Sequence, residues 1–262
     1  MEVAAFPREL ETATAKVRPN ALFPLGRILY ALPIVAFGLL HVALGDLGTR
    51  FAPAPDGMPG RSIAAYALGL ALIGIGLAIV FDMQARPAAL ALAALIALSL
   101  LFFYVPRIAA RPGFGGAWTN PAKYLAILSG ALLLANPDRG VVLGRFFLSL
   151  FFVLGGVQHF VYESFVVTLI PAWIPGHVFW SRFAGLALLA AGFGLWQAKT
   201  ARLAAILSGA MIFLWFILLH IPRALASQDP LEWSGVFESL AMSGIAFMLA
   251  GSPERGPAGA AG

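Results

Sequence analysis

Residues 62–81 and 87–105 form uncharged runs of 20 and 19 residues, separated only by the polar step at 82–86. About 20 apolar residues wound as helix cross the hydrocarbon core of a bilayer. Backbone in lipid must satisfy its own hydrogen bonds, so two such runs joined by a short step specify an antiparallel pair of membrane helices. Composition extends the argument to the whole chain. Of its 262 residues 60% are hydrophobic and 11% charged, with a mean hydropathy of +0.88, whereas soluble domains carry about 25% charge. The net charge of +5 is scattered without a Lys/Arg block, which favours contact with anionic lipid headgroups and disfavours nucleic acid. The absence of cysteine removes disulfides, thiol catalysis, iron–sulfur ligation and thioether-linked haem from this chain. Redox work would need a bound cofactor or a partner.

Further apolar segments complete the pattern. The first span is expected over 28–45, interrupted only by Pro33 and His41, and a weaker fourth over 118–135, where Lys123 can snorkel to the interface. Spans five to eight are expected over 146–163, 178–197, 203–219 and 233–250. Residues 1–25 read as a polar tail without the apolar core of a signal peptide, and 251–262 as flexible linker.

The spans repeat. Gly26-Arg27, Gly38 and His41 recur 118 residues later as Gly144-Arg145, Gly156 and His159. Gly69, Gly76, Arg86 and Pro106-Arg107 recur at 116 as Gly185, Gly192, Arg202 and Pro222-Arg223; Trp118 matches Trp233 at 115, and Ser129-Gly130 matches Ser243-Gly244 at 114. Apolar helices align leucine with leucine by chance, but not histidine, tryptophan and two Pro-Arg pairs in order. The expected fold is therefore all-α and transmembrane, with eight spans as two tandem, parallel four-helix units over 26–136 and 144–250. Four spans per unit bring both halves into the membrane from the same side, which gathers the recurring polar positions at one face. Ten Lys/Arg fall on the N-terminal side and seven on the other, a bias that places the N-terminus in the cytoplasm.

Polar side chains concentrate where the fifth span ends. His159, Tyr162 and Glu163 share one helix face if the helix continues that far, Pro171 and Pro175 break it, and Trp173 suits the membrane boundary. His159 is read either as a proton carrier or ligand contact or as a packing histidine, Glu163 as its partner or as a carboxylate reaching water. His220 and Arg223 would face a ligand's polar head or mark the boundary. His41, Tyr104 and Arg107 are the first-half counterparts of His159, His220 and Arg223. Lys123 and Glu238 align between the halves and suit an inter-repeat pair. The candidate pocket is thus His159, Glu163, Trp173, His220 and Arg223. Bis-histidine haem would require His159 and His220 to face each other, and no supporting pattern accompanies them. No zinc motif is present, so no metal is assigned.

The run GVQHFVYESFVVTLIPAWIPG, followed by FAGLALLAAGFGLW, TARLAA and LLHIPR, resembles the bacterial DoxX-like membrane proteins along nearly the whole second half. The first half, with FGLLH, MPG and YVPR, is similar to a diverged copy in which Gly45 replaces Glu163 and Tyr104 replaces His220. The resemblance implies a doubled four-helix unit in a bacterial inner membrane, and for some members a link to quinone-coupled oxidation of sulfur compounds or to thiol-stress complexes. The expected function is a quinone-binding or electron-transfer-associated subunit working beside a soluble or membrane redox partner. The alternatives are a small-molecule transporter, a lipid-binding module, or a scaffold without activity.

Overall fold

The computed structural model describes residues 20–113 and 115–253; the segments 1–19 and 254–262, where tails are expected, lie outside them. Among the described residues eight long helices follow one another: α1 (Leu22–Leu44), α2 (Arg61–Val80), α3 (Ala85–Ala110), α4 (Gly116–Ala135), α5 (Pro137–Val161), α6 (His177–Trp196), α7 (Ala198–Ala226) and α8 (Pro230–Gly251). No strand occurs among the described residues; Gly48 and Pro53 form an isolated bridge. Among the described residues seven helices, all but α4, are long and apolar enough to cross a membrane, as expected of a multi-pass membrane protein. The exception has a physical reason. Thr119, Asn120, Pro121 and Lys123 make the first half of α4 polar, and Ala122, Tyr124, Ala126 and Ile127 beside them are buried against protein.

Helix ends follow local chemistry. Gly45 terminates α1 in the left-handed region at φ 60°, and its N–H donates to the His41 carbonyl at 2.9 Å. α5 begins at Pro137, nine residues before the expected start at 146. Asn136 caps it by accepting from the N–H groups of Asp138 and Arg139, and proline at the first position loses no helical bond. α3 and α7 run through prolines that the sequence suggests as helix ends. The turns Leu100–Tyr104 and Phe216–His220 widen to π-helix just before Pro106 and Pro222. Proline donates no N–H and collides with the carbonyl four residues back, and a widened turn relieves both faults.

The two halves pack alike. α1 lies against α2 and α8, and α5 against α6 and α4; α3 contacts α4 as α7 contacts α8. A Cβ on Gly38 would stand 2.5 Å from the Gly69 carbonyl oxygen, and one on Gly156 2.8 Å from that of Gly185. Only glycine permits such approach of two backbones. At the opposite end of α1, Arg27 meets Asp82 at 2.5 Å, while Arg145 on α5 donates to the Leu195 carbonyl at 2.7 Å. The apolar window of α8 is 83% buried, against 22–39% for the other six candidate spans. α8 is therefore an interior helix, and large side chains such as Leu70, Phe102, Leu186 and Leu207 face outward, where lipid would cover them.

Candidate functional site

The loop between α1 and α2 turns inward. Leu47, Thr49, Phe51, Ala52 and Ala54 are buried, and Phe51 wedges its ring edge-on against His41 and Tyr124. Backbone and side-chain bonds hold successive residues. The Thr49 hydroxyl donates to His41 Nε2 at 2.8 Å, and the Tyr104 hydroxyl donates to the Arg50 carbonyl. Ser99 donates to the Phe51 carbonyl at 2.5 Å. A carbonyl can only accept, so the 2.7 Å contact of His41 Nδ1 with the Phe37 carbonyl puts the ring proton on Nδ1 and leaves Nε2 to accept from Thr49. The loop mouth is closed by Arg61, which pairs with Asp46 and donates to Asp56 at 2.8 Å. Partial burial opposes ionisation of Asp46, but the Arg61 hydrogen bonds outweigh it and hold the carboxyl below its usual range.

Arg50 is delivered by this loop to a chain of charges. Its guanidinium lies 3.9 Å from both Glu232 and Glu238. Glu238, almost wholly buried on α8, accepts from Lys123 Nζ at 2.7 Å and from the Tyr124 hydroxyl at 3.4 Å. Glu232 binds Arg223 through both oxygens, at 3.0 and 3.2 Å. A carboxylate this buried is sustained only by such partners. Beside the chain lies a cleft of about 330 Å³ lined by Thr49, Arg50, Arg61, Tyr104, Arg107 and Asn120, with Asp56 its one lining carboxylate.

The five residues of the expected pocket are not brought together. α5 ends at Val161, and Tyr162, at φ −113° and ψ 34°, turns the chain before Glu163 opens a separate one-turn helix. Glu163 therefore does not continue the His159 face. It pairs instead with Arg182 on α6, at 2.6 and 3.1 Å, and that guanidinium keeps its carboxyl below the usual range although desolvation opposes the shift. His159 Nδ1 donates to the Ser181 carbonyl at 3.0 Å, and its ring lies 6.2 Å from that of Trp215. A bond to a neighbouring helix's backbone is the arrangement expected of a packing histidine. Trp173 is exposed, with no ring or hydrogen-bond partner among the described residues. The His220 side chain makes no hydrogen bond among the described residues. Its Nδ1 faces α8, where a Cβ on Gly235 would approach to 3.1 Å. Thus Arg223 and His220 belong with the Glu232 and Glu238 chain, while His159 and Glu163 belong to the α5–α6 contact. No group of three or more His, Cys, Asp or Glu side chains that could hold a metal ion gathers among the described residues.

Of the first-half counterparts, His41 and Tyr104 fix the inward loop, and Arg107 lines the cleft. The sequence reading did not single out Arg50, Glu232, Tyr124 or Asn120. The available signal was Thr49-Arg50-Phe51, a bulky and charged step inside a Pro/Gly-rich loop. No protein-family model, curated protein or solved structure matches this chain, so the likeness to DoxX-like proteins rests on the quoted motifs.

Proposed function

We propose that this chain is a membrane-embedded binding subunit of DoxX-like type, built from two tandem four-helix units with α4 as an eighth crossing. It holds the polar head of a lipophilic small molecule where α1, α3, α5 and α7 end, and works beside a redox partner in a bacterial inner membrane with its N-terminus in the cytoplasm. The observation that carries the binding reading is the cleft at Arg50, where hydrogen-bond donors from the loop, α3 and α4 converge next to a satisfied buried charge chain. Donors around a recess at a helix-bundle end suit an oxygen-bearing head whose tail lies in lipid.

The matched glycine contacts, the π turns at 116-residue spacing and the paired Arg27 and Arg145 anchors support the duplication. An even helix number per unit then follows only if α4 crosses. A quinone bound in the cleft would supply the redox chemistry; this chain would supply donors to its oxygens from Arg50, Arg107 and Asn120. His159 and Glu163 have no proton-handling place in this reading, because Ser181 and Arg182 occupy them.

The test is extraction in mild detergent, followed by mass spectrometry of co-purifying small molecules. Retention of one amphiphile in stoichiometric amount by the wild type, lost in Arg50→Gln and Asn120→Ala, is the expected result. Recovery of nothing beyond bulk membrane lipid, in the same proportions for all three proteins, would remove the proposal.

A further inference from the structure

The two Pro-Arg steps are chemically unequal. Arg223 follows Pro222 and is neutralised by Glu232, one residue before Trp233. At the spacing that aligns Trp233 with Trp118, the position of Glu232 falls on Ala117. The Arg107 side chain, exposed after Pro106, accordingly makes no hydrogen bond or ion pair among the described residues, although it lines the same cleft as Tyr104 and Asn120.

The charges around the cleft can be counted. Arg50, Arg61, Arg107, Lys123 and Arg223 provide five cations, and Asp46, Asp56, Glu232 and Glu238 four carboxylates. Every carboxylate has a cationic partner, and the cation left over is Arg107. Asn120, whose side chain is also without a hydrogen bond among the described residues, adds an uncommitted amide. A planar guanidinium beside a neutral donor, in a recess already held open by other ion pairs, selects an oxyanion in preference to a neutral carbonyl.

We infer that the cleft is an anion site, in which Arg107 and Asn120 bind a phosphate or carboxylate oxyanion and Arg107 decides the charge of the head accepted. The inference rests on the binding reading above and narrows its oxygen-bearing head to an anionic one, in place of the neutral quinone. An oxyanion of this kind is offered both by an anionic lipid headgroup at the membrane face and by a free anion in the adjoining water.

The experiment places the full chain in nanodiscs of phosphatidylcholine, with or without phosphatidylglycerol, and titrates inorganic phosphate into the neutral discs while following thermal unfolding. Wild type, Arg107→Gln and Arg111→Gln are compared, Arg111 being an exposed loop arginine outside the cleft. Stabilisation by phosphatidylglycerol alone identifies the headgroup as the source; saturable stabilisation by phosphate in neutral discs identifies a soluble anion. In either case Arg107→Gln should weaken the response about tenfold, the loss of one charge-assisted contact, and Arg111→Gln should keep it. No response in either arm, or an equal response in Arg107→Gln, overturns the inference. If a neutral quinone co-purifies equally with wild type and Arg107→Gln, the binding reading stands and the anion site fails. If phosphate binds through Arg107 but no amphiphile is retained, the reverse holds.

Discussion

Lys123 on α4 and Glu238 on α8 meet at 2.7 Å, and they stand 115 residues apart, the spacing that aligns Trp118 with Trp233. Opposite charges at that spacing thus face each other across the interior. Arg50 and Tyr124 complete the coordination of Glu238, so the pair is one link of a network that ties the first loop to α8.

Removing one end of this pair should cost far more than removing both. Glu238→Leu strands Lys123 without a carboxylate and leaves Arg50 only Glu232, and about 3 kcal/mol of stability should be lost. The double variant Lys123→Met with Glu238→Leu leaves no stranded partner in the pair and should recover most of that loss. Thermal unfolding in nanodiscs across the four-member cycle measures the coupling. Additive losses would show that the pair contributes nothing beyond its separate side chains.

Glycine positions give a second contrast. A Cβ on Gly26 would stand 2.5 Å from both the Gly244 carbonyl oxygen and the Met248 nitrogen, which are backbone atoms of α8 and cannot rotate away. Gly26→Ala should separate α1 from α8 and lower the melting temperature sharply. Gly74 has nothing within 4 Å of a built Cβ, so Gly74→Ala should be neutral or stabilise by up to about 1 kcal/mol through helix propensity. A Gly26→Ala protein as stable as wild type would contradict the close α1–α8 packing.

Glu163 predicts a pH response with a definite sign. Arg182 lowers its carboxyl pKa in the folded protein, so the pair stabilises above the unfolded value, near 4.3 for glutamate. That contribution disappears as pH falls through the lower folded value. Because the pair is exposed, its effect should shrink with added salt. A carboxyl carbon NMR titration should inflect below the ordinary glutamate value and move back towards it in Arg182→Gln; an inflection at or above that value in wild type would exclude the pairing.

What could be read before the structure was whatever depends on composition and spacing. Uncharged runs specify helices such as α2 and α6 closely, and the recurring glycines mark where backbones touch. The pocket was not legible, because a shared helix face for His159 and Glu163 required α5 to continue past Val161. A single backbone turn at Tyr162 sends the carboxylate to Arg182. The start of α5 was missed for a related reason: Asp138 and Arg139 look like loop residues until Asn136 is recognised as their cap. Arg50 was hidden in a loop whose prolines and glycines suggest exposure, whereas Phe51 and Leu47 draw it inside.

That inward loop supplies the last test. Phe51 is 1% exposed and packs against Phe37, His41 and Tyr124, so Phe51→Ala should destabilise the protein by about 3–5 kcal/mol, as truncation of a buried aromatic does. Trp173, 65% exposed at the corresponding end of the second half, should tolerate alanine within about 0.5 kcal/mol. The consequences for the cleft also differ. Phe51 anchors the segment that carries Thr49 and Arg50, and without it the loop should open to protease between residues 46 and 60 while the helices stay protected. Limited proteolysis in nanodiscs, with cleavage sites read by mass spectrometry, distinguishes this from general unfolding. A Phe51→Ala protein that resists cleavage in the loop as well as wild type would mean that the charge chain through Arg50, and not the aromatic wedge, holds the loop in place.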